Sequence, residues 1–276
     1  MLEQQKGEVV TGGQLAGVLE VSRNAVWKAI RTLQGEGNEI VSLPNSGYKL
    51  MPTNDTLIEQ AMRDNLTTAF VGRSVELLST VYSTNQYLKE MDAADMPNGH
   101  AVIADEQTQG RGRRGRVFLS PRREGLYISV LLKPEGQPND VRLFTMAAAV
   151  AVVQALEAVC GIRADIKWVN DILCGGRKLC GILTEAVISG ELQEVSTAVI
   201  GIGINTGAVP AEIADIATSV WAETGLRGVR NRLAAEVLNW LEAAYLACCD
   251  ESGKQGVLDM YKERLLAGAD VPGELL

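Results

Sequence analysis

The chain has 276 residues, of which 46% are hydrophobic and 22% charged, a composition that excludes disordered, collagenous and disulfide-scaffold proteins. Its formal net charge of −8 does not favour a protein that coats nucleic acid, although it leaves room for a local basic surface. The single histidine, His100, excludes a multi-histidine metal site, and a Ser-His-Asp triad would have to use it. We therefore expect any catalysis by this chain to use lysine, arginine, aspartate, asparagine and backbone groups.

The cysteines indicate the compartment. There are five, an odd number, and none forms a C-x-x-C pair, which indicates reduced thiols in a cytosolic protein rather than a disulfide framework. The N-terminus lacks the apolar segment of an export signal, and no run of 18 apolar residues predicts a membrane span. We therefore expect a cytoplasmic protein.

Residues 1–52 predict a winged helix-turn-helix. Thr11 and Gln14 have capping-box spacing before an apolar helical run, and Ser22 is a suitable N-cap for a second helix. Residues 40–50 read as strand, turn and strand. Two helices about a tight turn, followed by a hairpin, are typical of this DNA-binding motif.

A linker with a short helix at 57–65 is predicted within residues 53–69, and a second domain within 70–268. Its predicted strands are 75–81, 101–104, 126–132, 165–168, 172–174, 178–185 and 195–204. Its predicted helices are 84–91, 143–160, 230–249 and 254–266, and Gly175-Gly176 predicts a hairpin turn. Strands with interspersed helices indicate an α/β or α+β domain of about 200 residues.

The most unusual segment is residues 110–116, Gly-Arg-Gly-Arg-Arg-Gly-Arg. Glycines allow a close approach of the backbone, and arginines offer paired donors to carboxylate or phosphate. The flanking apolar strands favour a mobile loop that an anionic small ligand orders, over an Arg-Gly patch for RNA or DNA. The segment is not a dinucleotide fingerprint, and no P-loop motif occurs in the chain.

Three further segments carry weaker signals. Lys167-Trp-Val-Asn-Asp171 ends an apolar strand, so its lysine must pair with an anion or reach water, although Asn-Asp by itself favours an ordinary turn. In the segment from Lys178 to Glu185, Gly181 indicates either a close backbone approach or a bulge. Gly201-Ile-Gly-Ile-Asn205 is compatible with a nucleotide lying on bare backbone, but glycines in strands are more often bulges.

Together these motifs resemble the bifunctional biotin protein ligases, also called biotin operon repressors. The motifs that match, in the order of the family, are Ser83-Thr-Asn85, Gln107, Gly110–Arg116, Lys167–Asp171, Lys178-Leu-x-Gly-Ile-Leu and Gly201-x-Gly-x-Asn205. Residues 21–28 and 46–50 match the DNA-binding domain of the family. The resemblance implies an α+β chain in which a winged helix-turn-helix precedes a mixed-sheet, class II synthetase-like catalytic domain.

The resemblance also implies a reaction in two steps. Biotin and Mg-ATP give biotinyl-adenylate, and a lysine of a biotin carboxyl carrier protein then takes up the biotin. This chemistry suits a chain with one histidine, because the substrate supplies the nucleophilic carboxylate and Lys and Arg stabilise charge at phosphorus. The implied partners are the carrier protein, operator DNA and, with adenylate bound, a second copy of the chain in a homodimer. No membrane association is implied.

The resemblance assigns roles by position. The catalytic residues would be Lys167, Arg111 and Arg113, with Lys167 the strongest candidate for stabilising the transition state. The biotin contacts would be Ser83, Thr84, Asn85, Gln107, Gly110, Arg111, Gly112, Arg113, Lys167 and Gly181. The adenylate contacts would be Phe118, Asn170, Asp171 (also a candidate Mg²⁺ ligand), Asn205 and Trp221, with 205–221 an adenylate-ordered loop. The DNA contacts would be Ser22, Arg23, Asn24, Trp27, Lys28 and Arg31.

The chain departs from the family pattern in three ways. Val169 replaces the usual proline, with an effect limited to local stiffness. The N-terminal domain has five basic and five acidic side chains, so DNA affinity would depend on local charge and on a dimer. Residues 269–276 would be only the start of an SH3-like domain, which brings full ligase activity into question.

Two alternatives to the ligase-repressor stay open. The first is a transcription regulator that senses biotin or its adenylate but has impaired ligase activity. The second is a lipoate-type ligase on the same scaffold, which fits less well because such enzymes usually lack a winged helix.

Overall fold

The structure is a computed structural model, and it describes residues 1–134, 141–189 and 194–267. The segment 269–276, expected to begin an SH3-like domain, lies outside the described residues, as does residue 268 at the expected end of the catalytic domain.

The N-terminal domain is a winged helix-turn-helix, as predicted. Its elements are β1 (Val9–Val10), α1 (Gly12–Val18), α2 (Arg23–Gly35), β2 (Ile40–Leu43) and β3 (Gly47–Leu50), with sheet order β1-β3-β2. The Thr11 hydroxyl accepts from Gln14 N–H and the Gln14 side chain accepts from Thr11 N–H, which completes the capping box. Ser22 caps α2 through Ala25 N–H at 3.1 Å. The two-residue strand β1 was not predicted, because it is too short to show a periodic pattern.

The linker contains α3 (Glu59–Arg63), which is shorter than the predicted helix. It begins two residues later than predicted, at Glu59, and the N–H of its N-cap residue Ile58 donates to Asn231 Oδ1 at 2.8 Å. The Lys6 ammonium donates to the carbonyl oxygen of Asn54 at 2.6 Å and to that of Gly228 at 3.1 Å. The first residues of the chain are thereby tied to the linker and to the second domain.

The second domain is built on a seven-stranded mixed sheet. Its strands are β4 (Val75–Leu78), β5 (Ala101–Ala104), β6 (Gly125–Leu132), β7 (Asp165–Lys167), β8 (Asp171–Cys174), β9 (Arg177–Ser189) and β10 (Glu194–Asn205). The order is β4-β5-β6-β10-β9-β8-β7, and only the β4–β5 pair is parallel among these. This confirms the expected mixed sheet.

Five α-helices complete the described part of this domain. They are α4 (Thr84–Glu90), α5 (Val141–Cys160), α6 (Val220–Thr224), α7 (Arg230–Ala247) and α8 (Glu251–Glu263). The long helices α5 and α7 pack on one face of the sheet in the main core, and α4 packs on the other face. By length and composition α5 could span a membrane, but 78% of its apolar window is buried in this core, as in the core helix of a globular domain.

Some predicted boundaries were wrong. The strand predicted to reach residue 81 ends at Leu78, and Val81 makes only an isolated bridge to Gln107. Helix α8 begins at Glu251 and not at 254, because Asp250 caps it by accepting from Gly253 N–H at 2.8 Å. Helix α6, which begins one residue before Trp221, was not predicted, because the segment was interpreted as a loop.

Candidate active site

A cavity of about 420 Å³ opens beside α4, between the sheet and the basic segment 110–116. This volume is within the usual range for small-molecule sites. Most of the predicted site residues line it: Ser83, Thr84, Asn85, Gln107, Arg111, Gly112, Arg113, Phe118, Lys167, Asn170, Asp171 and Gly181. The motifs that are separated in sequence by up to a hundred residues therefore meet in one place.

The floor of the cavity includes bare backbone at three glycines of β9 and β10. The register pairs Gly203 with Gly181 on β9 and Gly201 with Leu183, so the three glycines lie on one face of the sheet. The pairing of β10 runs without a shift through both of its glycines, which excludes bulges there. A Cβ at Gly201 would overlap Oδ1 of Asn85, and one at Gly203 would come within 2.5 Å of the Phe118 ring. The glycines therefore make room for these two side chains and for a ligand.

One wall is polar and comes from the N-terminal end of α4. Ser83 is the N-cap, and Thr84 and Asn85 are buried. The Oε1 of Gln107 accepts from Thr84 N–H at 2.9 Å, and its Nε2 donates to Ser120 Oγ at 2.9 Å. These two bonds fix the orientation of the Gln107 amide, so it presents a defined pattern of donors to the cavity.

The basic segment covers the opposite side. Gly112 N–H donates to Arg116 C=O at 2.7 Å, which closes a short turn that contains the 3₁₀ residues Arg113–Gly115. The Arg111 guanidinium donates to Gln86 Oε1 at 3.2 Å, and that of Arg113 donates to Asn170 Oδ1 at 3.0 Å. Both arginines are largely exposed, so their remaining donors are accessible to an anion in the cavity.

The third wall comes from β8 and the start of β9. The Lys178 ammonium lies 2.7 Å from Asp171 Oδ1 and 5.8 Å from the centre of the Phe118 ring. Lys167 ends β7 at the rim and is more exposed. The side chain of Asn170 is held by its bond to Ile182 C=O at 2.8 Å, and the Trp168–Val169 peptide bond that precedes it is cis. Lysine and aspartate are thus placed together at the end of the cavity that Phe118 covers.

Three predicted site residues do not line the cavity. Gly110, the first residue of the basic segment, is buried against residue 118, and a Cβ there would overlap the Phe118 carbonyl oxygen. Asn205 Nδ2 donates to Thr218 C=O at 3.0 Å and so fastens the segment that follows β10. Trp221 is 41% exposed, with the Arg227 guanidinium 4.3 Å above its ring. The segment 205–221, expected to be a loop, contains a 3₁₀ turn and the start of α6.

The charges at the cavity favour an anion. Among the described lining residues six are basic, namely Arg111, Arg113, Arg114, Arg116, Lys167 and Lys178, and only Asp171 is acidic. Cys180 lies in the strand beneath, but complete burial raises the pKa of its thiol far above its ordinary value, which disfavours a thiolate nucleophile. The site is therefore suited to binding and polarising a phosphate or carboxylate.

Lys178 lines the cavity but was not among the predicted site residues. It was noted only as part of a motif. The signal was available, because a hairpin about Gly175-Gly176 pairs Lys178 with Leu173, two residues from Asp171 on the neighbouring strand. Ser129 was also missed. It is fully buried, and its Oγ lies 2.7 Å from Thr84 Oγ1 and 2.6 Å from Asn85 Oδ1.

The candidate DNA-binding residues lie on the outer face of α2. Val26 and Ile30 of this helix are buried in the small core of the N-terminal domain, whereas all six candidates are exposed, including Trp27 at 52%. They are Ser22, Arg23, Asn24, Trp27, Lys28 and Arg31. This face is free, within the described part of the chain, to meet another molecule.

The structure joins a winged helix-turn-helix to a domain whose cavity has glycines in its floor and arginines in its cover, and comparisons with known proteins identify this class. Residues 77–205 match the model of the biotin/lipoate A/B protein ligase family, and residues 1–49 match an HTH domain. The chain is 37% identical to the bifunctional ligase/repressor BirA of Bacillus spizizenii, over 89% of this chain and 76% of that protein. It is 33% identical to that of Escherichia coli, over 86% of this chain and 73% of the relative.

A solved structure supports the same assignment. Biotin protein ligase from Aquifex aeolicus in complex with biotin and ATP superposes with a TM-score of 0.60 at 32% identity, over 70% of this chain and 79% of that one. The chain belongs to the family of bifunctional biotin ligase/repressors.

Proposed function

We propose that this chain joins biotin to ATP in the cavity, with release of pyrophosphate, and then passes the biotin to a lysine of a biotin carboxyl carrier protein. The observation that carries the proposal is the convergence of the basic segment, the glycine floor and the Lys178–Asp171 pair around one cavity. The family membership supports the same reaction.

In the first step a carboxylate oxygen of biotin would attack the α-phosphorus of ATP, and the bond from that phosphorus to the bridging oxygen would break. Both reactants are anionic, so the site must hold them together and offset their negative charge. Lys178 lies inside the cavity, and Arg111, Arg113 and Lys167 lie at its rim. We assign the stabilisation of charge at phosphorus to these four side chains.

The positions of the residues support most of the predicted binding roles. Ser83, Thr84, Asn85 and Gln107 supply the hydrogen-bonding wall where biotin would lie, beside Gly112 and Gly181. Phe118 and Asn170 stand at the other end of the cavity, where adenine and ribose would lie. Gly110, Asn205 and Trp221 would act only indirectly, by shaping the segments on which the cavity depends.

Magnesium would arrive with ATP as part of the substrate. Mg²⁺ is commonly held by one or two carboxylates together with phosphate oxygens. Asp171 is the only acidic side chain among the described lining residues, and the described residues contain no cluster of three His, Cys, Asp or Glu side chains. A protein contribution of one carboxylate, from Asp171, therefore fits the site.

In the second step the amine of the carrier lysine would attack the acyl carbon of the mixed anhydride. A C–N bond forms, the C–O bond to AMP breaks, and the amine gives up a proton to water. Incubation of this chain with biotin, Mg-ATP and a carrier domain should add one biotin to the carrier, as measured by mass spectrometry. A carrier with arginine in place of the acceptor lysine is the control, and an unmodified wild-type carrier would contradict the proposal.

The N-terminal domain would make the protein a biotin-responsive repressor in the cytoplasm. The exposed face of α2 carries Arg23, Lys28 and Arg31, which would meet the phosphates and bases of operator DNA. Because the domain has no net charge, we expect one copy to bind weakly and an adenylate-bound homodimer to bind a palindromic operator. Gel shifts with and without biotin and ATP test this, and DNA binding that ignores both ligands would contradict it.

A further inference from the structure

Asn85, on the polar wall, has a side-chain amide whose two N–H donors both have acceptors within the protein, while its oxygen keeps one lone pair for a ligand. Its Nδ2 donates to Leu183 C=O at 3.1 Å and to Glu185 Oε2 at 3.0 Å. Its Oδ1 lies 2.6 Å from the hydroxyl of Ser129, which donates to it. Since both hydrogens of Nδ2 are directed to acceptors, the amide has one orientation, in which its oxygen faces Gly201 and Ser129.

Glu185 lies outside the cavity lining but reaches Asn85 from β9. While Oε2 accepts from Asn85, Oε1 lies 2.7 Å from the Lys89 ammonium on α4. Burial would raise the pKa of Glu185, but hydrogen bonds from Lys89 and Asn85 outweigh it and leave the pKa below its ordinary value. The carboxylate is therefore ionised and accepts at both oxygens.

We infer that Glu185 is a positioning residue, which fixes the direction of the Asn85 amide and thereby the hydrogen-bond pattern that this wall offers to biotin. The inference rests on the proposed function, in which Asn85 contacts biotin. Glu185 acts only through Asn85, because Asn85 lines the cavity and Glu185 does not.

Lys89 makes this role testable with an isosteric change. An ammonium has donors only, so in Glu185→Gln the single amide oxygen is required by both Lys89 and Asn85. When Lys89 takes that oxygen, the NH₂ group of the new glutamine faces the NH₂ group of Asn85. Two donors repel each other, so the Asn85 amide is displaced from its present orientation. Removing the ammonium with Lys89→Met frees the oxygen for Asn85 and should restore the original orientation.

The experiment measures the Kd for biotin by calorimetry and the KM values for biotin and ATP in pyrophosphate exchange. Glu185→Gln should weaken biotin binding by about tenfold, the expected effect of one misdirected buried hydrogen bond, and leave the KM for ATP within about twofold. The double variant Glu185→Gln/Lys89→Met should recover most of the affinity for biotin. If Glu185→Gln acted only by disturbing the fold, the second substitution would weaken biotin binding further. Glu251→Gln removes the acid of an exposed Glu–Lys pair on α8 and is the matched control.

Biotin affinity of Glu185→Gln equal to that of the wild type would overturn the inference and leave the proposed function intact. A double variant as weak as the single one would also overturn it. Thermal unfolding midpoints of all variants show whether each one folds. A wild-type chain that binds no biotin would instead overturn the proposed function, so the two failures are distinguishable.

Discussion

The ring of Phe118 lies over Gly203, so closely that a Cβ at position 203 would stand 2.5 Å from its Cε1 atom. The ring is also packed edge-on against Tyr127, with centroids 6.4 Å apart, and it lies below the Lys178 ammonium. The bare backbone of β10 thus determines where the aromatic ring can sit. Because we propose that this ring contacts adenine, we expect a side chain at position 203 to affect ATP binding.

Gly203→Ala should displace the Phe118 ring, because the new methyl group and the ring cannot occupy the same space. We expect the KM for ATP in pyrophosphate exchange to rise about tenfold, a loss typical of one well-placed aromatic contact. In a Phe118→Ala background the same substitution should have little further effect. If the double variant raised the KM for ATP by the product of the two single effects, Gly203 would act independently of Phe118, which would contradict this explanation.

The two lysines at the cavity should differ in importance. Lys178 lies within the cavity beside Asp171, whereas Lys167 stands at the exposed rim. Lys178→Met should lower kcat for adenylate formation by about 10²-fold or more, the usual effect of losing one preorganised charge at the reacting centre. Lys167→Met should lower it less. Lys254→Met, on the exposed side of α8, is the control, and a larger loss at Lys167 would reverse our ranking.

Arg230 should be the most sensitive single residue for stability. Its side chain is fully buried, and it donates to Asp105 Oδ1 at 2.7 Å, to Gly125 C=O at 3.0 Å and to the carbonyl oxygen of Asp55 in the linker. Arg230→Met leaves these acceptors without their donor, so the free energy of unfolding should fall by about 3 kcal/mol or more. Urea denaturation measures this.

The matched control is Arg163, whose pair with Glu263 lies 70% and 65% exposed at the surface. Arg163→Met should change the free energy of unfolding by less than about 0.5 kcal/mol, because exposed ion pairs contribute little. Equal effects at Arg163 and Arg230 would contradict the role we give to the buried arginine.

The thiols should react in an order set by burial. Burial raises the pKa of Cys160 and that of Cys248 to about 11 in each case, so only about 0.1% of either thiol is ionised at pH 8. Cys249 is exposed and should react first with a disulfide reagent at that pH, while Cys160, Cys180 and Cys248 should react only on unfolding. Rapid reaction of several thiols in the folded protein would contradict this order.

The features that depend on local sequence patterns could be predicted from the sequence alone. The capping box at Thr11, the N-cap at Ser22 and the hairpin at Gly175-Gly176 could all be predicted because neighbouring residues determine them. The start of α8 was misplaced, because Asp250 lies only three residues after the end of α7 and its capping role depends on where that helix ends.

The site was harder to predict, because its geometry depends on strand register. From the sequence, Gly201 and Gly203 were more easily interpreted as bulges than as space for Asn85 and Phe118, which lie more than 80 residues earlier in the chain. Lys178 was left out of the predicted site for the same reason, since the pairing of β8 with β9 is what brings it close to Asp171. The periodicity of apolar residues identifies the strands, but the contacts between strands can be predicted only when the order and register of the sheet are known.

The most direct test of the central claim is ATP–pyrophosphate exchange by this 276-residue chain, with biotin and lipoate compared as substrates. The structure and the family membership predict exchange that requires biotin and Mg-ATP, that is absent with lipoate and that is strongly reduced in Lys178→Met. Exchange that proceeds without biotin, that is equal with lipoate, or that does not occur at all would contradict the account.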